Sequence, residues 1–174
     1  AQTTNGITTA TPFLLIIPDA RAGAMGDIGV STSADASSLF HNPSKIAFSG
    51  QQVLIGLNYS PWLRNLTDDI FIGSASYINR FSENSAWGAE FRYFSLGQID
   101  LTDGGGNSNG TINPNEFALS GTYALKLSET FSMGVSGRYF RSNLAFTGTN
   151  STLQPINSFA VDVSGYYQSY EENY

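Results

Sequence analysis

Long stretches in which apolar and small or polar residues alternate limit what this 174-residue chain can fold into more than any other feature. Between Ser85 and Ser95, apolar residues occupy every second position from Trp87 to Tyr93, while Glu90 and Arg92 lie at the positions between them. Alternation of this kind places the two sets on opposite faces of a β-strand, because successive side chains of a strand point to opposite sides. The chain is therefore predicted to be all-β.

Six segments show this alternation and are predicted to be strands. They are Gln51–Tyr59, Asp69–Asn79, Ser85–Ser95, Glu116–Lys126, Phe131–Arg141 and Phe159–Tyr167. A strand of a soluble protein typically has about 5–6 residues, whereas a tilted strand that crosses a bilayer needs about 9–11. The length of these segments, together with one apolar face and one small or polar face, favours a transmembrane, antiparallel, up-and-down β-barrel.

The positions of aromatic residues and of turns agree with this interpretation. Aromatic residues gather towards the predicted strand ends, as they do in the interfacial bands of membrane barrels. They are Tyr59, Trp62, Tyr77, Tyr93, Phe94, Tyr139, Phe140, Tyr166, Tyr167 and Tyr170. The predicted connections alternate between long and short along the chain: Ser60–Asp68, Arg80–Asn84, Leu96–Asn115, Leu127–Thr130 and Ser142–Pro155. We predict that the two short connections are periplasmic turns and that the long ones are outer loops.

The number of predicted strands is too small for a closed transmembrane barrel, since bacterial barrels start at about eight strands. An open sheet edge is not stable in lipid, because its N–H and C=O groups find no hydrogen-bond partner there. We therefore expect this chain to cover about six strands of a longer barrel, with further strands after Tyr174. A barrel completed by several chains and a soluble β-sandwich are the alternatives.

Composition and charge exclude or disfavour several classes of function. The net charge is −6, and we therefore expect no nucleic-acid partner, because binding to phosphates needs a basic face. The chain has no cysteine and a single histidine, His41, which excludes thiol chemistry and disfavours a transition-metal site or a Ser-His-Asp triad. We predict neither enzymatic activity nor a cofactor. The segment Gly105–Glu116 has some calcium-loop residues but begins with Gly instead of Asp, so an ordinary outer loop is favoured.

The first fifty residues differ from the rest, since they are rich in small and polar residues and lack a sustained period. Two runs in this part are distinctive: PDARAGAMGDIGV at Pro18–Val30 and DASSLFHNPSKIAF at Asp35–Phe48. They resemble the N-terminal region of the PorV family (also called LptO), outer-membrane barrels of the Bacteroidetes type IX secretion system. That family is similar in fold to the FadL fatty-acid transporters, which have about fourteen strands and an N-terminal hatch inside the lumen. The resemblance is strong over about residues 15–60 and loose over the remaining strands.

The resemblance implies two structural parts, an N-terminal hatch at residues 1–50 and the first part of a FadL-like barrel at residues 51–174. The residues assigned to the hatch are Asp19, Arg21, Gly23, Met25, Gly26, Asp27, Asn42 and Pro43. Arg21 is expected to anchor the hatch to the barrel wall with Asp19 or Asp27, and the small residues are expected to let the backbone pack closely. Asp35 is expected to N-cap a short helix that ends at Asn42-Pro43.

Charged residues on the polar face of the predicted strands are expected to point into the barrel lumen, because facing lipid would cost up to a few kcal/mol for each of them. They are Glu90, Arg92, Arg138 and Asp162. Solvation in the lumen or structural pairing is the favoured role for these residues. A role in gating or ligand passage is the alternative.

The resemblance also implies a function and its partners. PorV-like proteins are non-enzymatic components of the bacterial outer membrane, with their outer loops at the cell surface. They collect secreted cargo, through its C-terminal signal domain, from the large translocon barrel SprA (Sov) and pass it to the sortase and attachment complex. The alternative function is a FadL-like outer-membrane channel for hydrophobic small molecules.

Overall fold

The computed structural model describes residues 11–65, 67–102, 104–144, 147–148, 151–152 and 155–169. Its helical segments are the 3-10 helices Pro12–Leu15 and Pro43–Phe48 and the α-helices α1 (Ala20–Ala24) and α2 (Ser38–His41). Its strands are β1 (Val53–Pro61), β2 (Ile70–Asn79), β3 (Ser85–Leu96), β4 (Ile99–Thr102), β5 (Ser108–Ile112), β6 (Asn115–Lys126), β7 (Phe131–Asn143), β8 (Thr147–Gly148), β9 (Ser151–Thr152) and β10 (Ile156–Tyr167). No helix among the described residues is long and apolar enough to cross a membrane.

The six long strands form one antiparallel sheet with the order β1-β2-β3-β6-β7-β10. Each strand therefore pairs with the next long strand along the chain, which is an up-and-down arrangement. All six predicted strands are confirmed, and the largest boundary difference is at β10, which begins at Ile156 and not at Phe159. Within the described residues β1 and β10 do not pair with each other, so the sheet is open and compatible with part of a larger barrel.

The long connections contain secondary structure that the sequence pattern did not predict. The predicted loop Leu96–Asn115 includes the hairpin β4–β5, in which Ile99 pairs with Ile112 and the register shifts after Asp100. Strands of four or five residues with a register shift are too short to give a clear alternation. The connection Ser142–Pro155 includes the very short pair β8–β9, while residues 145–146, 149–150 and 153–154 of this connection lie outside the described residues, as does Tyr170.

The sheet has two different faces. One face carries the N-terminal segment, which we define as residues 11–50, and we call it the covered face; the other is the exposed face. Along β6 and β7, buried residues alternate with exposed ones almost throughout. The buried positions are mostly small or polar, such as Ser120 and Ser136, while the exposed positions are mostly apolar, such as Leu119 and Val135. This division follows the alternation in the sequence.

The core lies between the N-terminal segment and the covered face. Leu39, Ile46 and Ala47 of the segment form one buried cluster with side chains from β2, β3 and β6, namely Ile78, Ala86 and Ala124. A glycine in β3 makes this contact possible, because a Cβ atom on Gly88 would lie 2.8 Å from a methyl carbon of Leu39. The Pro43–Phe48 helix packs over β3, β6, β7 and β10, so it is the part of the segment that contacts most of the sheet.

Candidate functional site

Hydrogen bonds from the covered face attach the N-terminal segment at widely separated points. The Ser76 hydroxyl donates to the Ala36 carbonyl at 2.8 Å, and the Ser132 hydroxyl donates to the Ser44 carbonyl at 2.8 Å. The Asn42 side-chain amide donates to the Gly165 carbonyl on β10 at 3.1 Å. These bonds join residues 36–44 to β2, β7 and β10, so this part of the segment is fixed across most of the sheet.

Asn42 and Pro43 act together at the point where the segment changes direction. Helix α2 ends at Asn42, as predicted, and Pro43 begins the following 3-10 helix. The Asn42 side-chain oxygen accepts from the Ser44 hydroxyl at 2.6 Å, which orients its amide towards β10. Asp35 does not cap α2 directly; Ser37 occupies the N-cap position, and the Asp35 carboxylate accepts hydrogen bonds from the Ser37 backbone and the Ser38 hydroxyl.

Lys45 and His41 hold the loop around Gly29 against the 3-10 helix. The buried Lys45 ammonium donates to the Gly29 carbonyl at 2.7 Å and to the Thr32 hydroxyl at 3.0 Å. A Cβ atom on Gly29 would lie 2.2 Å from the imidazole of His41, so any other residue at this position would have to displace that ring. Burial and the charge of Lys45 lower the pKa of His41, and burial lowers the pKa of Lys45. Packing accounts for the position of the single histidine.

The other residues assigned to the hatch lie in or near α1. Asp19 caps α1 by accepting a hydrogen bond from the Arg21 backbone at 3.0 Å. The Arg21 guanidinium forms an ion pair with Asp35 at 3.6 Å, so the expected pairing with Asp19 or Asp27 is wrong and the contact lies within the N-terminal segment. The remaining residues are Gly23, Met25, Gly26 and Asp27, and all four are exposed.

The expectation of close backbone packing around α1 needs correction. Gly23 and Gly26 have open space where a Cβ atom would point, so neither lies against a wall. The backbone of Gly26 does adopt a positive φ of 76°, as a turn that ends a helix requires, and Asp27 follows with a φ of 65°. In α1 itself it is Ala22, only 1% exposed, that is closely packed.

A buried ion pair lies on the covered face beneath the start of the N-terminal segment. Arg92 and Glu90 are on β3, with an Nε to Oε2 distance of 3.6 Å, and their side chains are 1% and 4% exposed. The Arg92 guanidinium also donates to the Leu14 carbonyl at 3.4 Å and lies 4.9 Å from the centre of the Phe40 ring. Arg92 therefore connects β3 to two parts of the segment that are far apart in sequence.

A second ion pair on the same face is more open to solvent. The Arg138 guanidinium on β7 lies 3.6 Å from the Asp162 carboxylate on β10, and the Asp162 side chain is 49% exposed. Arg138 also donates to the Ser120 hydroxyl on β6 at 3.1 Å. The four charged residues predicted from the polar face thus form two pairs, one beneath the segment and one beside it.

The exposed face carries two bands of aromatic residues. We call the end of the sheet with the connections 62–69 and 97–114 the loop end, and the opposite end the turn end. The loop-end band crosses five strands and consists of Tyr59, Phe71, Tyr93, Phe117 and Tyr139, with adjacent rings 5.2–6.1 Å apart where they are in contact. The turn-end band consists of Tyr77, Trp87 and Tyr123, and the first two rings lie 5.3 Å apart. Aromatic bands of this kind are typical of the two interfaces of a membrane barrel.

Between the two bands the described residues of the exposed face are uncharged. Large apolar side chains stand open there, among them Leu57, 79% exposed, and Val163, 68% exposed. Contiguous apolar surface of this extent is rare on soluble monomers and marks a contact with lipid or with another protein.

The Asp69 carboxylate connects two loops at the loop end. Asp69 accepts hydrogen bonds from the Thr67 hydroxyl and from the Gln98 backbone, the latter at 2.6 Å. These two bonds lower the pKa of Asp69. Gly97, with a φ of 77°, is required beside it, because a Cβ atom would lie 2.7 Å from the carboxylate. The β1–β2 connection is thus joined to the corner that leads into the β4–β5 hairpin.

The segment Gly105–Glu116, which has some calcium-loop residues, does not form a compact loop. Residues 105–116 run through β5 into β6, where Glu116 is buried on the covered face. Among the described residues no group of three or more histidine, cysteine or acidic side chains is close enough to hold a metal ion.

Several residues of this site were not identified from the sequence. Ser76, Ser132 and Gly88 lie on the covered face, and Lys45 and Gly29 lie in the segment. The alternation of the strands contains a signal for the first three, since small residues at covered positions leave room for a packed segment. Nothing in the sequence pairs Lys45 with Gly29.

The whole chain matches a known protein family. A family model described as "Type IX secretion system protein PorV" matches residues 1–174. No curated protein matches the chain. The family match extends over the N-terminal segment and over all six long strands.

Proposed function

The chain belongs to the PorV family of type IX secretion system proteins, and from this membership we propose that it is a non-enzymatic outer-membrane component of that system. In this proposal it binds the large translocon barrel (SprA or Sov-like), the C-terminal signal domain of secreted cargo, or both. It then passes cargo to the sortase and attachment complex at the cell surface.

The exposed face of the sheet is the main support for the proposed outer-membrane location. Its apolar middle is flanked by two aromatic bands, which fits a hydrocarbon layer between two interfaces. In a water-soluble protein the same surface would need a large partner to cover it. With the loop end outside the cell, the connections at 62–69 and 97–114 are open to partners.

The attachment of the N-terminal segment to the covered face favours a barrel through which cargo does not pass. We propose that residues 1–50 are a lumenal hatch and that Glu90, Arg92, Arg138 and Asp162 face the lumen. The segment is attached to β2, β3, β7 and β10 by hydrogen bonds and a buried cluster, so removing it would break many contacts at once. A channel for hydrophobic molecules is less well supported, because two buried charges, Glu90 and Arg92, lie on this face.

Affinity purification of the full-length tagged protein from detergent-solubilised outer membranes tests the proposal. We expect the large translocon barrel and cargo with C-terminal signal domains to be recovered with it. An epitope inserted between Gly104 and Gly105, at the tip of the β4–β5 hairpin, should be accessible on intact cells and should reduce this recovery. The matched control is the same epitope in the turn between Leu127 and Thr130, which should be inaccessible on intact cells.

Two results would contradict the proposal. Recovery of the protein without translocon or cargo would argue against a role in cargo transfer. Surface exposure of the Leu127–Thr130 epitope, with a hidden hairpin epitope, would reverse the orientation. Bound lipid or detergent in the lumen, together with uptake of a hydrophobic solute, would instead favour the channel.

A further inference from the structure

A groove on the exposed face lies between the two aromatic bands and extends over β6, β7 and β10. It has a volume of about 410 Å³, and its lining includes Leu119, Gly121, Gly137, Tyr139 and Phe159. Gly121 and Gly137 pair directly with each other, and no atom lies within 4 Å of the place where a Cβ on Gly121 would point. The two glycines therefore form the floor of the groove, and the three large side chains form its walls.

Among the described residues, Arg141 is the only charged one on the exposed face of the six long strands. It lies opposite Phe117 of the loop-end band on one side and opposite Asn157 of β10 on the other. Its side chain is exposed and forms no ion pair with a described residue. Along β7 the exposed positions run from Gly137 in the groove through Tyr139 to Arg141, a distance of about 13 Å. A cation thus stands where the apolar groove reaches the loop end.

Asn157 places a second hydrogen-bond donor beside Arg141. The Tyr139 hydroxyl donates to the Asn157 side-chain oxygen at 3.1 Å, which orients the amide and leaves its NH₂ group without a partner among the described residues. Because β7 is paired with β6 on one side and with β10 on the other, the backbone that carries Arg141 is held on both sides. Donors that are already positioned lose little conformational entropy when they bind a ligand. A guanidinium beside an amide is well suited to the oxygens of a phosphate.

We infer that the groove, together with Arg141 and Asn157, binds one molecule of a phosphorylated glycolipid, the lipid A part of lipopolysaccharide. Arg141 and the Asn157 amide bind a phosphate of lipid A, and one acyl chain lies in the groove over Gly121 and Gly137. This inference rests on the proposed outer-membrane location, with the loop end outside the cell.

The position of the charge favours lipid A over other occupants. Lipopolysaccharide supplies the headgroups of the outer leaflet of an outer membrane, and the phosphates of lipid A lie between its sugars and its acyl chains. Arg141 lies beside the loop-end band, and an aromatic band marks that same boundary. Glycerophospholipids belong to the inner leaflet, which is at the turn end in this orientation. An acidic side chain of a partner protein would match Arg141 but would not by itself fill the groove.

Native mass spectrometry of the full-length protein tests the inference. The protein is equilibrated in detergent micelles with equal amounts of phosphorylated lipid A, the same lipid A without its phosphates, and phosphatidylglycerol, and the retained lipids are counted. We expect about fivefold more of the phosphorylated than of the dephosphorylated lipid A, the upper range for an exposed ion pair. Arg141→Gln should remove this preference. Gly121→Val fills the groove and should lower the retention of both forms of lipid A alike.

Two matched controls lie outside the groove and should leave lipid retention unchanged. Arg64→Gln removes the charge of another exposed arginine at the loop end. Gly73→Val adds the same side chain to a glycine of the exposed face on β2, where a Cβ would meet only the Asn58 carbonyl at 3.9 Å.

The outcomes separate this inference from the proposed function. Equal retention of the two forms of lipid A by the unmodified protein, or the same loss in Arg64→Gln as in Arg141→Gln, would overturn the site while leaving the membrane location intact. Retention of phosphatidylglycerol at the level of phosphorylated lipid A would show a general phosphate contact and contradict a lipid A site. Unchanged retention in Gly121→Val would contradict an acyl chain in the groove.

Two further results concern the surroundings of this surface. Loss of translocon recovery in Arg141→Gln, with unchanged lipid retention, would show that Arg141 contacts a partner protein, which also overturns the lipid site. A protein that retains no lipid and stays monodisperse without detergent would overturn the proposed membrane location itself.

Discussion

Replacing Arg92 should loosen the N-terminal segment. In Arg92→Met, the Glu90 carboxylate stays buried without its cation, and the hydrogen bond to the Leu14 carbonyl is lost. The contact with the Phe40 ring is lost as well. The replacement itself fits the space, because a methionine side chain is flexible and apolar. The energetic effect therefore comes mainly from the unpaired carboxylate.

The burial of both charges sets the size of this effect. Breaking a buried ion pair by removing one partner costs about 3–5 kcal/mol, while replacing both partners by apolar residues is often neutral. At about 2–4 °C per kcal/mol for a chain of this size, Arg92→Met should lower the midpoint of thermal unfolding by about 6–20 °C. The double variant Glu90→Leu with Arg92→Met should restore most of that loss. Arg138→Met is the matched control and should cost about 1 kcal/mol or less, because its partner Asp162 is half exposed.

Two measurements check this prediction on the protein in detergent micelles. Thermal unfolding followed by tryptophan fluorescence gives the stability of four variants: Arg92→Met, Glu90→Leu, the double variant and Arg138→Met. Since the chain has no cysteine, Ala22→Cys adds a single thiol at a position that is 1% exposed, and its labelling rate reports opening of the segment. Arg92→Met should increase that rate and Glu90→Leu should reverse the increase. A change of less than 1 kcal/mol in Arg92→Met, or additive losses in the double variant, would refute the reasoning, because Glu90 would then be solvated.

Three further predictions concern other parts of the chain. Gly29→Ala should lower the free energy of unfolding by about 1–3 kcal/mol, because the added Cβ would overlap the imidazole ring of His41. Gly23→Ala in α1 is the control and should be neutral or slightly stabilising, since the space beside Gly23 is open. Equal effects at the two positions in thermal unfolding would contradict the packing at Gly29. The lowered pKa of Asp69 means that its hydrogen bonds are fully present above the ordinary aspartate pKa of about 3.9 and are lost as the pH falls through the lowered value. The protection factor of the Gln98 backbone amide against hydrogen exchange should therefore fall only at acidic pH, and Asp69→Asn should abolish that dependence. A protection factor that does not change with pH in the unmodified protein would contradict this role of Asp69. Val163→Arg should reduce the stability of the protein in lipid bilayers by about 2–4 kcal/mol, because it places a charge on the exposed face, where we propose that lipid lies. Leu127→Arg in the tight turn is the control and should have little effect. Similar losses at both positions would argue against lipid on the exposed face.

The long strands and their two faces could be predicted because the signal is local. Alternation depends only on the direction of successive side chains, so Glu90 and Arg92 were placed on the polar face of β3 from the sequence alone. The short hairpin β4–β5 escaped prediction, because its four- and five-residue strands contain too few alternating positions. The long strands could therefore be predicted from their alternation, whereas the short strands β4 and β5 could not.

The contacts of charged residues were less accessible from sequence. Arg21 has three carboxylates within reach along the chain, and proximity in sequence favoured Asp19 and Asp27. The fold brings Asp35 to it instead, at 3.6 Å, although Asp35 is the most distant of the three along the chain. Such a choice depends on the path of the backbone, which a local pattern does not contain.

The sequence by itself determined the class of fold, the six long strands, the face on which each side chain lies and the family resemblance in the N-terminal segment. Those properties follow from a period of two residues and from continuous motifs. Only the tertiary structure decided where the N-terminal segment lies on the sheet, since its attachments join residues 40 to 123 positions apart. Contacts over such separations are selected by packing of the whole chain, as the contacts of Arg92 with Leu14 and Phe40 illustrate.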